Sequence, residues 1–224
     1  MERVIHIIPT PIGNLEDITL RALRLLKESD IILAEDTRTT KKLFNHYGIK
    51  TKMLAYHSFN EHKKLNIIIK NIEAGQQISL VSVAGMPGIS DPGFLLIREC
   101  LKFKINVICL PGPTAFVPAL IQSGIPCDRF VFEGFLPTKK GRKTRLFDIT
   151  NQSKTVIIYE SPHRILKTLS ELHKICPTRK IVVLKELTKI YETVYRGRVK
   201  EVINSISHSI IKGEFIIILN GTEK

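Results

Sequence analysis

The chain has 224 residues, 43% hydrophobic and 25% charged, with a formal net charge of +13. At roughly 150 residues per domain, that is one large domain or two small ones; the composition excludes a disordered, collagenous or coiled-coil chain. No apolar run approaches the roughly 18 residues of a membrane span, and the opening MERVIHIIPTPIGN reads as a first strand rather than a signal peptide.

Short apolar runs then alternate with helical patterns. Val4–Ile8 reads as a strand followed by the loop PTPIGN, and the next helix, capped by Asp17 or Thr19, runs to Glu28. Strands at Ile31–Ala34 and Lys52–Ala55 are followed by helices at Thr37–His46 and Glu61–Glu73. Ile78–Val83 is a strand ending in the loop AGMPGISDPG; Phe94–Lys102 is a helix, Asn106–Leu110 a strand, and PGPTAF opens a helix to Gln122. Fully apolar strands in a βαβα series predict a mostly parallel sheet covered on both faces.

Ser123-Gly124-Ile125-Pro126 reads as a helix stop and domain boundary, giving domains 1–124 and 125–224. In the second half, Phe130–Phe132, Thr155–Tyr159, Ile181–Leu184, Thr193–Tyr195 and Phe215–Leu219 read as strands. Helices are expected at Arg142–Ile149, at Pro162–Lys174 with Pro in its first turn, and near Lys200–His208. The expected fold is α/β, with a smaller mixed-sheet second domain. Four cysteines without CxxC spacing predict reduced, buried thiols in a cytoplasmic protein.

Charge is unevenly shared. Residues 1–124 carry 15 Lys and Arg against 11 Asp and Glu, a balance of +4; residues 125–224 carry 19 against 10, or +9. A positive field concentrates polyanions, of which nucleic acid is the commonest. The densest cluster is Lys139, Lys140, Arg142, Lys143 and Arg145 around Gly141.

Standard nucleotide loops are absent: no GxGxxG follows the first strand, and no GxxxxGK[ST] occurs. That argues against P-loop enzymes and ordinary dinucleotide dehydrogenases. Metal spacings are absent as well, so no metal is expected. What remains is three Pro/Gly loops, Pro9–Asn14, Ala84–Gly93 and Pro111–Thr114, each after a strand, at the edge where parallel sheets bind ligands. Glycine there lets backbone approach a ligand; proline fixes loop shape.

The segments PTPIGNLEDIT, AEDTRTTKKL, LVSVAGMPGISDPG, LPGPTAFVPAL with SGIP, FEGFLP, YESPHR and KELTK occur in this order. Together they resemble the tetrapyrrole (corrin/porphyrin) methylase superfamily, and within it the branch that methylates small-subunit ribosomal RNA. The resemblance implies two α/β domains with S-adenosylmethionine in the cleft between them, a homodimer, and no membrane. It implies methyl transfer to the ribose 2′-hydroxyl of a decoding-region cytidine in 16S rRNA of the small ribosomal subunit. A small-molecule tetrapyrrole methylase and an inactive RNA-binding assembly factor remain alternatives.

By the same resemblance the cofactor should meet Ile12, Gly85, Met86, Ile89, Ser90, Pro113, Thr114 and Ala115, with Tyr159 and Leu184 at strand ends of the second domain. General-base candidates are Asp36, His57, Glu160, Lys185 and Glu186, and the sequence does not rank them. Arg38, His163, Arg164 and the 139–145 cluster are the expected RNA contacts. The chain departs from the family's usual pattern at Val83, usually Asp, at Met86, usually Thr, and at Leu184-Lys185, usually Ala-Arg.

Overall fold

A computed structural model describes residues 3–222. They form two compact units, one ending at Thr114 and the other beginning at Ala115.

Unit 1 is a five-stranded, wholly parallel sheet. Its strands are β1 (Val4–Ile7), β2 (Ile31–Ala34), β3 (Lys52–Ala55), β4 (Ile78–Val81) and β5 (Asn106–Cys109), in the order β3-β2-β4-β1-β5. Four helices cross over it: α1 (Leu20–Glu28), α2 (Thr37–Tyr47), α3 (Glu61–Glu73) and α4 (Phe94–Lys102). The two-residue period of the strands divides the core. Ile5, Ile7, Leu33, Ile78 and Leu80 pack with Ile68, Ile72 and Leu96 of α3 and α4. Ile32, Ala34 and Val81 pack with Ala22, Leu26, Leu43 and Phe44 of α1 and α2. Helix starts follow local chemistry: Thr19 caps α1 by accepting from Ala22 N–H, and Asp36 caps α2 by accepting from Arg38 N–H. Ser79, fully buried mid-strand, is satisfied by Ser29 Oγ at 2.7 Å.

Unit 2 opens with α5 (Phe116–Ser123), which packs on β10 and so lies ahead of the expected break at 124/125. Its sheet has the order β6-β7-β10-β8-β9, built from β6 (Phe130–Phe135), β7 (Thr155–Glu160), β8 (Lys180–Lys185), β9 (Thr193–Arg198) and β10 (Phe215–Leu219). Only β6 and β7 pair in parallel; the other pairings are antiparallel, giving the mixed sheet the sequence predicts. Helices α6 (Arg142–Thr150), α7 (Ile165–Ile175) and α8 (Val199–Ser207) cover one face over a core that includes Ile158, Leu169, Val183, Val202 and Ile217.

Two expectations are corrected. Helix α7 starts at Ile165, not Pro162, because Ser161 C=O accepts from both Arg164 and Ile165 N–H and closes a separate turn. Cys100 and Cys176 are buried but Cys109 and Cys127 are exposed; all four are free thiols. Burial pushes the Cys100 thiol up to about 12. Among the described residues, no helix is long and apolar enough to cross a membrane.

Candidate active site

β4, β1 and β5 are neighbours running in one direction, so the loops after them leave the same edge of the unit 1 sheet. The three Pro/Gly loops are tied together by main-chain atoms. Thr10 N–H donates to Gly85 C=O at 2.9 Å and Gly85 N–H to Thr10 C=O at 2.8 Å. Thr10 Oγ1 donates to Ser82 C=O, and Ser82 Oγ to Gly85 C=O. A Cβ on Gly112 would stand 2.5 Å from Pro9 Cγ, so the third loop presses on the first at a spacing only glycine allows. Gly85, at φ +80, would direct a Cβ toward Ile12 at 3.4 Å and Pro113 C=O at 3.9 Å. Ser90, a non-glycine residue at φ 63, holds a conformation that side chains disfavour.

This edge gathers Ile12, Gly85, Met86, Pro113 and Thr114 around one junction. Ile89 and Ser90, farther along the second loop, are exposed. Met86 Sδ lies 3.6 Å from Cys109 Sγ. On the neighbouring strand end, Glu35 Oε2 accepts from Val83 N–H at 3.4 Å, which joins the AEDTR segment to the same loop. Thr10 and Ser82 are contributors that sequence reasoning missed; only their place next to the motif residues could have marked them.

In unit 2, Ala115 precedes α5, and the Tyr159 hydroxyl accepts from Phe116 N–H at 3.1 Å. The Tyr159 ring packs edge-on against Phe132 and Phe135. Leu184 is not at a strand end, because β8 continues to Lys185; its side chain is wholly buried and offers no surface to a ligand.

The five base candidates are all otherwise engaged. Asp36 caps α2, and hydrogen bonds from Arg38 hold its carboxyl below the usual range. Glu160 is buried; its carboxylate accepts from Thr168 Oγ1 at 2.6 Å and Ser161 N–H at 2.8 Å, and meets Arg164 Nε at 3.2 Å. Burial works to raise the Glu186 carboxyl, but Lys189 and Glu214 N–H outweigh it and hold it low. Lys185 donates to Ile210 C=O.

His57 is excluded by its tautomer. Asn60 Oδ1 accepts from His57 N–H and Asn60 Nδ2 donates to Ala55 C=O, which fixes the amide's orientation. Nδ2 also lies 3.0 Å from His57 Nε2 and must donate there, so the neutral ring carries its proton on Nδ1. Nδ1 is buried without a partner and has no lone pair to give.

The expected RNA contacts divide. Lys139, Lys140, Lys143 and His163 are exposed, and no ion pair engages them among the described residues. Arg145 is half-exposed with Nε 2.6 Å from Glu133, and exposed Arg38 pairs with Asp36. Arg142 is corrected: it is 5% exposed, and its guanidinium is taken up by Glu171, Thr168 and Pro137 C=O. Arg164 is likewise bound to Glu160 and Leu136 C=O. Both lie at the starts of helices that fold onto the sheet, where a desolvated guanidinium must find acceptors. Among the described residues, no group of three His, Cys, Asp or Glu could hold a metal ion.

A parallel sheet whose Pro/Gly loops make one rigid edge, followed by a mixed-sheet unit, is the architecture of a known family. Residues 4–203 match the Tetrapyrrole (Corrin/Porphyrin) Methylases, and the chain belongs to that family. Its fold is shared with cobalt precorrin-4 methyltransferase (TM-score 0.71, 17% identity, 97% of this chain and 95% of that one). It is also shared with uroporphyrin-III-C-methyltransferase from Thermus thermophilus (TM-score 0.67, 17% identity, 98% and 94%). Within the family the chain groups with proteins named ribosomal RNA small subunit methyltransferase I. It is 46% identical to that of Halalkalibacterium halodurans over 97% of this chain and 75% of the relative. It is 42% identical to that of Thermotoga maritima over 97% of this chain and 98% of the relative.

Proposed function

We propose that the protein is an S-adenosylmethionine-dependent methyltransferase of small-subunit ribosomal RNA, acting on the ribose 2′-hydroxyl of a decoding-region cytidine. The observation that carries the reading is the junction of three loops at the unit 1 sheet edge, closed by the Thr10–Gly85 pair and by Gly112 against Pro9. The names of the relatives at 42–46% identity favour RNA over a tetrapyrrole as substrate.

The residues present suit the methyl donor. Gly112 and Gly85 let the loops close on one another, which brings their peptide groups to one edge, and exposed Val83 and Ile89 supply apolar contact beside them. When bound, S-adenosylmethionine supplies an electrophilic methyl group on its sulfonium. Ile12, Gly85, Met86, Ile89, Ser90, Pro113 and Thr114 would hold it, with Ala115 and Tyr159 assigned by resemblance. The chain's main contribution is in-line alignment of the ribose oxygen. The ribose hydroxyl would also have to lose its proton, and the hydrogen bonds of Asp36, His57, Glu160, Lys185 and Glu186 single out none of them for that role. Lys139, Lys140 and Lys143 would meet RNA phosphates. The same reading takes the protein to be a cytoplasmic homodimer that needs no metal.

The test is methyl transfer from labelled S-adenosylmethionine to purified 30S subunits and to free rRNA, with the modified nucleotide mapped. A 2′-O-methylcytidine supports the reading. A methylated base, or no binding of the donor by calorimetry, overturns it.

A further inference from the structure

Unit 2 contains a closed cluster of charged side chains that the reaction does not use. Thr168 Oγ1 donates to Glu160 Oε2 at 2.6 Å and accepts from Arg142 Nη2 at 2.7 Å. Arg142 pairs with Glu171 through Nε at 2.9 Å and Nη2 at 2.6 Å, and Arg164 Nε stands 3.2 Å from Glu160 Oε1. Two arginines and two glutamates make the cluster neutral. Its two outward links go to consecutive carbonyls: Arg164 Nη2 to Leu136 C=O at 2.5 Å, and Arg142 Nη1 to Pro137 C=O at 3.1 Å. Immediately beyond them the chain turns through Lys139-Lys140-Gly141, with Arg142 N–H on Lys139 C=O and Gly141 at φ +81.

Buried ion clusters stabilise a fold no better than apolar residues of the same volume. What this one supplies is geometry: it adds no net charge, yet it anchors both residues that lead into the lysine turn.

We propose that Glu160, Thr168, Arg142, Glu171 and Arg164 are positioning residues for RNA: they hold the 136–141 loop so that Lys139, Lys140 and Lys143 meet phosphates at fixed spacing. The inference rests on the RNA-methyltransferase reading above. It explains why YESPHR and FLPTKKGRK, apart in sequence, act as one structure. Thr168 is its centre, because a single hydroxyl both donates and accepts there.

The experiment measures two dissociation constants, for 30S subunits by filter binding and for S-adenosylmethionine by calorimetry. Thr168→Val, which removes both hydrogen bonds of the hydroxyl, is expected to weaken 30S binding about tenfold and to leave the donor's constant within about twofold. Thr168→Ser, which keeps the hydroxyl, should restore RNA binding. In a Lys139→Ala/Lys140→Ala/Lys143→Ala background, Thr168→Val should have no further effect on RNA, because it acts through those lysines. If Thr168→Val does not fold, Glu171→Gln is measured in its place. Equal losses for RNA and donor, full additivity with the lysine variants, or unchanged RNA binding overturns the proposal. Failure of the underlying reading looks different: the lysine variants themselves then bind 30S subunits as tightly as the parent.

Discussion

The sheet edge of unit 1 and the charged cluster of unit 2 solve a similar problem by opposite means. Both hold loops rigid. In unit 1, main-chain hydrogen bonds and missing side chains do it: the Thr10–Gly85 pair and the Gly112–Pro9 contact. In unit 2, long side chains reach back to two loop carbonyls through a neutral ion cluster. A backbone solution brings loops together through peptide groups alone. A side-chain solution fills the interior and leaves the loop's outer surface to lysines. The difference also sets how each region should fail.

The largest effect is expected in the cluster. Glu160→Ala strips the carboxylate from Arg164, Thr168 and Ser161 N–H, and breaking a buried pair costs about 3 kcal/mol. Chemical denaturation should show that loss. A change under about 1 kcal/mol would mean that water replaces the carboxylate and the cluster is not a closed unit.

Gly112→Ala should cost less stability but more function. Its Cβ must displace Pro9 from 2.5 Å, and overpacking of this kind costs about 1–3 kcal/mol. Donor affinity measured by calorimetry should fall by more than about tenfold, since misplacing a loop removes contacts that one kcal/mol or two sustain. Normal donor affinity in a folded variant would separate the first and third loops from the site.

Glu186 gives a pH test. Its carboxyl is held below the ordinary value of 4.5 in the folded protein, so its contribution is complete above that value and lost as pH falls through the folded value. The melting temperature of Glu186→Gln should therefore sit below the parent's at pH 7, and the gap should narrow as pH falls below 4.5. A gap that does not narrow at all as the carboxyl is titrated would show that the effect is steric.

The smallest stability change belongs to Lys139→Ala/Lys140→Ala, within about 0.5 kcal/mol because both side chains are exposed. The salt dependence of RNA binding should nonetheless flatten, by a log–log slope of roughly one per lost phosphate contact. An unchanged slope would remove these lysines from the RNA surface.

Much of this was legible in the sequence for local reasons. Short apolar runs mark β1 to β5, and caps such as Thr19 and Asp36 sit where their side chains compete for the first amide groups of a helix. Three Pro/Gly loops after parallel strands had to fall at one edge, because a parallel sheet puts every such loop on the same side. Tertiary structure decided which of those loops touch, through strand order: β1 lies between β4 and β5. It also decided the fate of the charges. Arg142 and Lys143 are adjacent and chemically alike in the sequence, yet one is buried against Glu171, 29 residues away, and the other is exposed. Burial depends on which helix face meets the sheet and on acceptors supplied from distant segments, and no local pattern contains that information.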